Sequence, residues 1–281
     1  MRTVDYRDIV DNVAVMCQEA NYDLGEDVVN AFKSSLKTEV SETGKDVLNQ
    51  LILNANIATS ERVPMCQDTG VSVFIVELGQ DCHIDGGSLY DAINEGVKKG
   101  YEEGYLRHSI VDHPITREKG AGYNTPSVIH VELVPGNQLT IHMSAKGGGS
   151  ENMSTLKMLK PADGLQGIKE FILNTVRVAG PNACPPLVVG VGIGGNFEKC
   201  GYLAKKSLFR PIGERSNLDD IAKLENELME EINQLGIGPQ GMGGSTTALD
   251  VKIEIAPCHI AALPVAVNLN CHASRHKEIT L

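Results

Sequence analysis

The stretch VSVFIVEL, residues 71–78, decides the fold class of this 281-residue chain, because it is a β-branched apolar run that follows three helical segments. Apolar side chains recur at helical spacing in residues 5–21, 28–36 and 47–52. A sequence that changes from helices to strands and then mixes the two favours an α+β fold over an all-helical or an all-strand fold.

Two further strand patterns flank a turn. SVIHVELV (127–134) and QLTIHMSA (138–145) both alternate apolar and polar residues. Between them, Pro135, Gly136 and Asn137 supply the residue types that tight turns prefer. This arrangement predicts a β-hairpin.

The rest of the chain mixes helices and strands. Strand patterns occupy residues 186–193, 250–257 and 259–270, and helical patterns occupy residues 88–104, 163–179, 197–209 and 217–235. No repeat or long polar linker divides the chain. The sequence therefore predicts one compact domain over residues 1–281, with mixed, largely antiparallel sheets surrounded by helices and two lobes that meet near residues 150–165.

Composition excludes several classes of protein. Lys and Arg number 25 and Asp and Glu number 36, so the formal net charge is 25 − 36 = −11, which opposes general nucleic-acid binding. Aromatic residues are only 4% and Trp is absent, which argues against a stacking platform for single strands. No apolar run approaches the length of a membrane span and no secretory signal is visible, so we expect a cytoplasmic protein.

Seven cysteines raise the question of whether some are ligands. None forms a CxxC pair, and a cytosolic protein does not keep disulfides easily. Cys66, Cys184 and Cys271 lie at the ends of predicted elements, beside small, polar or proline residues, whereas inert thiol is the better interpretation for Cys17, Cys82, Cys200 and Cys258. Zinc usually takes paired ligands at short spacing, so three distant cysteines are more compatible with an iron–sulfur cluster.

The segment from Gly190 to Gly195 satisfies GxGxxG, follows a predicted strand and precedes a predicted helix. A nucleotide-binding oxidoreductase is therefore one hypothesis. However, the acidic residue expected near 20 positions downstream would be Glu214, which lies in a segment that is not strand-like. The pattern favours glycines that permit close packing.

Four motifs together resemble the class I fumarase and L-tartrate dehydratase family of iron–sulfur hydro-lyases. They are MCQDTG (65–70), KGGGSEN (146–152), GIGGN (192–196) with Lys199 behind it, and HIAALPVAVNLNCHASR (259–275). The resemblance runs from about residue 10 to 276 and is to the α subunit, or the N-terminal domain of single-chain members. It implies a catalytic α+β domain that works with a separate β subunit.

The resemblance also implies the site. In the family, three cysteines hold a [4Fe–4S] cluster and leave one iron without a cysteine ligand, and those positions fall here on Cys66, Cys184 and Cys271. The remaining contacts carry over to residues near the first ligand, in the glycine loop and at the last strand: Gln67, Asp68, Arg107, Gly148 or Gly149, and His259. Asp68 is implied either in acid–base catalysis or in positioning the catalytic group, and His259 lies near the substrate.

These residue types suit the removal of water from a hydroxy-dicarboxylate. Arg107 can form a two-pronged contact with a carboxylate, and glycine amides can approach one closely. Arg107, Lys146, His259 and Arg275 would make a positive pocket despite the acidic chain. Lys146 and Lys199 are each interpreted either as site charges or as solvated surface lysines.

The leading hypothesis is the α subunit of a fumarate hydratase that forms (S)-malate, in an α2β2 assembly or with α–α contacts. L-tartrate dehydratase is the alternative within the family. Two further hypotheses lie outside the family: a nucleotide-binding oxidoreductase, and a non-catalytic interaction protein that has lost its cluster. No nucleic acid or membrane partner is expected.

Overall fold

Three helices precede the first long strand, as the sequence pattern predicts, and the computed structural model describes residues 2–120 and 122–281. The first elements are β1 (Arg2–Asp5), α1 (Tyr6–Tyr22), α2 (Glu26–Thr38), α3 (Glu42–Glu61), β2 (Val71–Gly79), β3 (Cys82–Asp85), α4 (Leu89–Glu103), β4 (Val128–Val134) and β5 (Leu139–Lys146). They are followed by α5 (Gly148–Asn152), β6 (Thr155–Leu159), α6 (Gly164–Ala179), β7 (Leu187–Gly195), α7 (Phe197–Ser207), α8 (Asp219–Asn233), β8 (Ala248–Cys258), β9 (Leu263–Asn270) and β10 (His276–Thr280). The predicted α+β class is confirmed. No helix in the described ranges is long and apolar enough to cross a membrane.

The chain divides into two units, each formed from separate segments. Unit 1 comprises Met1–Leu24, Ala55–Gly148 and Arg275–Leu281, and unit 2 comprises Gly25–Asn54 and Gly149–Ser274. Each unit has its own four-stranded mixed sheet. Four of the seven strand pairings in the described residues are antiparallel.

In unit 1 the sheet has the strand order β10-β5-β2-β4, and α1 and α4 contribute to the core on it. The core includes Phe74 and Val76 of β2 together with Val13 of α1, all fully buried. The two helices approach closely because α4 carries glycines at its contact with α1. A Cβ on Gly100 would lie 2.5 Å from the carbonyl oxygen of Ala14, which no larger residue could tolerate.

The predicted hairpin of residues 127–134 and 138–145 is wrong. β2 lies between the two strands and pairs parallel with β4 and antiparallel with β5. The segment between β4 and β5 lies against the end of β2. Gly79 N donates to Gln138 O and Asp81 N donates to Gly136 O, both at 2.9 Å. β2 is the most continuously apolar of the three strands, and the central position buries it on both sides.

In unit 2 the sheet has the strand order β6-β9-β7-β8. Odd-numbered residues of β7 such as Val189 and Val191 share a buried cluster with α6 and α8. The alternate residues of β7 include glycines that face α7. A Cβ on Gly192 would lie 2.0 Å from the carbonyl oxygen of Cys200, so these glycines let helix and strand backbones touch.

The dinucleotide interpretation of Gly190–Gly195 is therefore wrong, because these glycines lie inside β7 and not in a loop between a strand and a helix. Their function is the close packing that the sequence favoured. The strand predicted over residues 259–270 begins only at Leu263, and residues 259–262 form a turn. The sequence pattern does not reveal four short strands, namely β1, β3, β6 and β10, because four or five residues give too little periodicity to detect.

Candidate active site

Cys66, Gln67 and Asp68 follow one another in the loop between α3 and β2 in unit 1. Cys66 and Asp68 are half-buried and Gln67 is exposed. The loop ends at Gly70, which has a φ of +78°. A Cβ there would lie 2.8 Å from the backbone nitrogen of Lys146, so the MCQDTG motif needs glycine at this position to lie against the end of β5.

Two backbone amides orient the Asp68 carboxylate. Gly70 N donates to Oδ1 at 3.0 Å, and Gly148 N donates to Oδ2 at 2.7 Å. The glycine loop thus contacts the DTG loop directly, and the Gly148 amide that the resemblance assigned to a substrate binds Asp68 here. The backbone passes so close that a Cβ on Gly147 would be 3.3 Å from Asp68 Oδ2.

Three buried side chains hold the backbone of this loop, one at each successive carbonyl. Arg275 Nη1 donates to Asp68 O at 2.8 Å, Tyr101 OH to Thr69 O at 2.7 Å, and Asn124 Nδ2 to Gly70 O at 3.1 Å. All three donors are at most 1% exposed. They come from three different parts of unit 1, so the loop that carries Cys66 and Asp68 is fixed by the core of the unit.

Arg107 lies beside this loop. Its carbonyl accepts a hydrogen bond from Thr69 Oγ1 at 2.9 Å, while its side chain is exposed. Asn124 links the same region a second time, since its Oδ1 accepts from Ser109 N at 2.8 Å. Asp68, Gly148 and the backbone of Arg107 therefore lie around the same loop of unit 1.

Arg275 and Lys146 are predicted to line a positive pocket, and Lys199 is a separate candidate charge. Arg275 is buried, and its Nη1 also binds Asn21 Oδ1 at 2.9 Å, so the guanidinium fixes backbone and side chains of unit 1. Its Nε is buried without a hydrogen-bond partner among the described atoms. Lys146 is only 3% exposed, which contradicts its interpretation as a solvated lysine. Lys199 is exposed and its Nζ lies over the Tyr202 ring, 4.8 Å from the centroid.

Cys184 and Cys271 belong to unit 2, and the structure brings their segments together. His272 N donates to Cys184 O at 3.2 Å. Cys184 adopts a left-handed backbone conformation with a φ of +54°, an uncommon state that is often retained at functional positions. Both thiols are half-buried.

Gln240 ties these two segments to a third. Its backbone N and its Nε2 both donate to Pro185 O, at 2.8 and 2.7 Å. Nε2 also lies 3.1 Å from His272 Nδ1. One side chain therefore contacts the residue after Cys184 and the residue after Cys271, which limits how far the two cysteine segments can separate.

The seven cysteines differ in their burial. All seven are free. Burial raises the pKa of Cys17 to about 12, and burial likewise raises the pKa of Cys200 and of Cys82. Iron binds the thiolate, the form that burial disfavours at these three positions. Cys66, Cys184 and Cys271 are half-buried, as Cys82 also is, and Cys258 is exposed.

No three His, Cys, Asp or Glu side chains in residues 2–120 and 122–281 converge on the position of a single metal ion. A [4Fe–4S] cluster presents a different iron to each cysteine, so its ligands need not converge in that way. The donor set of three half-buried thiols fits such a cluster in its chemistry.

His259 and Gly149, two further predicted contacts, lie in unit 2. His259 is exposed in the turn after β8, and its Nδ1 accepts from Ala261 N at 3.1 Å. The proton of the neutral ring therefore lies on Nε2. Gly149 is exposed, and a Cβ there would be 3.5 Å from Asn182 O, close to the Cys184 segment.

Sequence reasoning missed Tyr101, Asn124 and Gln240 as supports of the site. A signal existed for Tyr101, because it lies one helical turn after Val97 on the apolar face of α4. A phenol buried there must find a partner for its hydroxyl. Asn124 and Gln240 lie in irregular loops, where no periodicity reveals which side chains turn inward.

Comparisons with known proteins identify the family of the chain. Residues 10–280 match the family described as fumarate hydratase (Fumerase). A protein of Methanocaldococcus jannaschii with the provisional name L(+)-tartrate dehydratase subunit alpha is 47% identical over 272 residues, which cover 95% of each chain. The L(+)-tartrate dehydratase subunit alpha of Escherichia coli strain UTI89 is 35% identical over 254 residues, 89% of this chain and 83% of that protein.

The K12 strain of Escherichia coli has a similar protein of the same name, 34% identical over 256 residues, which cover 89% of this chain and 83% of that protein. The match to the family spans nearly the whole chain and includes every residue of the candidate site. It confirms the resemblance that the four sequence motifs indicated. This chain belongs to the fumarate hydratase (Fumerase) family.

Proposed function

We propose that this chain is the α subunit of a two-chain [4Fe–4S] hydro-lyase that interconverts fumarate and (S)-malate. Membership of the fumarate hydratase family supports the hydration chemistry. The names of relatives at 47% and 35% identity contain "subunit alpha", which supports a second, β chain and an assembly such as α2β2. The observation that best supports this proposal concerns Asp68, two residues after Cys66. Two backbone amides orient its carboxylate.

Cys66, Cys184 and Cys271 would hold the cluster. When bound, a cluster with one iron free of cysteine supplies a Lewis acid that binds the substrate and makes hydroxide a better leaving group. The seven free thiols suit a reducing compartment, so the proposal includes a cytoplasmic location.

Asp68 takes part in proton transfer to or from the substrate. A carboxylate has about four lone-pair positions, and the two amide donors occupy only part of them. The remaining positions can exchange a proton, while the amides and the three carbonyl contacts of the loop keep the group in one orientation. Such fixed geometry is what general acid–base catalysis requires.

Arg107 binds a substrate carboxylate, since its guanidinium is exposed while its backbone is fixed beside the Asp68 loop. A planar guanidinium can donate two parallel hydrogen bonds to a carboxylate. His259 presents an Nε2–H donor, which suits a contact with an anionic substrate oxygen. Gln67 and the amide of Gly149 add exposed donors.

L-tartrate is the second candidate substrate. It is also a hydroxy-dicarboxylate that loses water, and the relatives reported above are named for this reaction. Arg107 and His259, as proposed here, bind carboxylate oxygens, which fumarate, (S)-malate and L-tartrate all offer.

The test is to co-express the chain with its β partner under anaerobic conditions and to compare turnover of fumarate, (S)-malate and L-tartrate. We expect fumarate turnover by the pair and little by this chain alone. Turnover of tartrate but not fumarate would replace the first substrate by the second. Robust turnover by the isolated chain would contradict the two-chain assignment.

Asp68→Asn supplies the matched variant, since it keeps the size of the side chain but removes the charge. We expect activity to fall on the order of 10²- to 10⁴-fold, the usual contribution of a positioned acid or base. Iron content should be unchanged, because Asp68 is not a ligand. Wild-type turnover in Asp68→Asn would remove it from proton transfer.

A further inference from the structure

A glycine-rich loop of unit 2 lies against the Cys184 segment, although none of the predicted site residues belongs to it. It comprises residues 238–247, GPQGMGGSTT, between α8 and β8, and is named the support loop here. A Cβ on Gly241 would lie 2.4 Å from Pro181 Cβ, so the two backbones approach closely before the cysteine. The support loop therefore follows the chain that leads into Cys184.

The support loop is anchored by side chains that do not come from the cysteine segments. The carboxylate of Glu39, which is 3% exposed, accepts from Ser245 N and from Thr246 N, both at 2.8 Å. Asn233, the last residue of α8, accepts from Thr247 N at 2.8 Å through its Oδ1. Hydrogen bonds from amides to a buried carboxylate are among the stronger ones in proteins. The loop is thus a fixed base for the contacts that it makes.

Gln240 is the residue of the support loop that reaches both cysteine segments. Its Nε2 lies 2.7 Å from Pro185 O and 3.1 Å from His272 Nδ1. The backbone of Gln240 has a φ of +51°, which is uncommon for a residue with a side chain. Such conformations persist where the surrounding structure fixes them, often at functional positions. The amide of Gln240 therefore touches the residue after each of the two cysteines.

The sheet of unit 2 brings these two segments to the same end but does not include the cysteines. β7 pairs with β9 so that Val188 lies opposite Asn270. Cys184 precedes β7, and Cys271 directly follows β9. Beyond the sheet, His272 N donates to Cys184 O at 3.2 Å, and the contacts of Gln240 lie on either side of this bond. The position of one cysteine backbone relative to the other thus depends on a few polar contacts outside the strands.

We propose that Gln240 is a positioning residue that sets the backbones of Cys184 and Cys271 for the cluster before the cluster binds. The inference rests on the cluster proposed above and deepens it. Metal binding that must also order its ligands loses affinity to that ordering, and a site set in advance avoids the loss. Residues that orient ligands without binding the metal commonly contribute about 10- to 100-fold to its affinity.

The test is the rate of iron release from the full chain after anaerobic reconstitution with ferrous iron and sulfide. Gln240→Met keeps the length of the side chain and the backbone bond to Pro185 O, but it removes both contacts of Nε2. We expect a chelator to take iron from this variant about 10- to 100-fold faster than from the wild type. Gln234→Met is the matched control, because Gln234 is exposed at the end of α8, and it should release iron like the wild type.

Hydrogen exchange of the iron-free chain tests whether the segments are set in advance. Peptides that cover residues 181–187 and 271–274 should exchange about 10-fold faster in Gln240→Met, because the hydrogen bonds of these segments open more often. Exchange in the sheet of unit 1 should not change. A role in general stability would instead raise exchange throughout the chain, and urea unfolding of both variants measures that effect separately.

The outcomes separate this inference from the proposed function. Equal iron release from Gln240→Met and the wild type would overturn the role of Gln240 and leave the cluster proposal intact. Faster exchange of the two segments without faster iron release would also overturn it, because the contacts would then support only the fold. A wild-type chain that takes up no cluster would contradict the proposed cofactor and, with it, this inference.

Discussion

Replacing Cys66, Cys184 or Cys271 by serine is expected to strip most of the iron, because a serine hydroxyl does not ionise to an iron ligand at neutral pH as a thiol does. Iron, sulfide and the visible spectrum after anaerobic reconstitution measure the effect. Cys82→Ser is the matched control, since Cys82 is also half-buried but belongs to β3, and it should keep its iron. Full iron content in Cys184→Ser would contradict the ligand set.

Arg107→Ala should lower kcat/KM for the complex with its β chain on the order of 10²-fold. The loss of charge-assisted hydrogen bonds to a carboxylate costs about 3 kcal/mol, which corresponds to that factor. Arg107→Lys should recover only part, because an ammonium cannot form the two-pronged contact. Arg117→Ala, at another exposed arginine of the same loop, should leave the kinetics unchanged. An unaltered kcat/KM in Arg107→Ala would place the arginine outside the site.

At the scale of residues, local context predicts part of the arrangement. It separates the cysteines at element ends from Cys17 on a helix face, and the burial of Cys17 agrees. The sequence suggests a substrate pocket for Arg275, yet this arginine is a buried support of the Asp68 loop. Sequence alone does not show this, because an arginine after a strand can point to solvent or to a backbone carbonyl. The position of that carbonyl is known only from the folded chain.

Helix α4 reaches the candidate site through the hydroxyl of Tyr101. Tyr101→Phe removes the donor to Thr69 O and should cost about 1–3 kcal/mol in unfolding free energy, because a buried carbonyl loses a partner. It should also lower kcat, because the Asp68 loop loosens. Tyr22→Phe is the control: its hydroxyl donates to Gly104 O at 2.6 Å and not to a carbonyl of the Asp68 loop.

The control variant should lose similar stability but keep its kcat. Denaturant unfolding and steady-state kinetics of both variants separate the two effects. Equal kcat in the two variants would show that Tyr101 supports only the fold.

Element types were largely predictable from periodicity, and strand partners were not. The strands at 127–134 and 138–145 exist, but the short connection between them suggested a hairpin that β2 interrupts. Which strands pair depends on which of them buries most apolar surface in the complete sheet. No local sequence pattern contains that information. In contrast, the glycines of β7 predicted close packing from composition alone, since only a close neighbour explains so many residues without a side chain.

The pH dependence of the whole molecule should depend on Glu39. Burial alone would raise the pKa of this carboxyl, but backbone hydrogen bonds from Ser41, Ser245 and Thr246 outweigh burial and lower the pKa to about 2. A lowered pKa means that Glu39 stabilises the fold above its unfolded value near 4.5 and that this contribution is lost as the pH falls toward 2. The shift corresponds to about 3 kcal/mol.

We therefore expect the stability advantage of the wild type over Glu39→Gln to shrink by up to about 3 kcal/mol between neutral pH and pH near 2, in urea unfolding. Glu42→Gln should show no such trend, because Glu42 is 86% exposed in a pair with Lys45. A constant difference between wild type and Glu39→Gln across this range would contradict the assignment.

The discontinuous make-up of unit 1 has a consequence for biosynthesis. Its sheet takes β2, β4 and β5 from the middle of the chain, but β10, which pairs with β5, lies more than a hundred residues later. While a ribosome is translating unit 2, one edge of β5 is therefore unpaired, and the carbonyl of Asp68 has no hydrogen bond from Arg275. Such distant pairings slow folding and expose strands to aggregation. A nascent chain of this protein should depend on chaperones until residues 275–281 have left the exit tunnel.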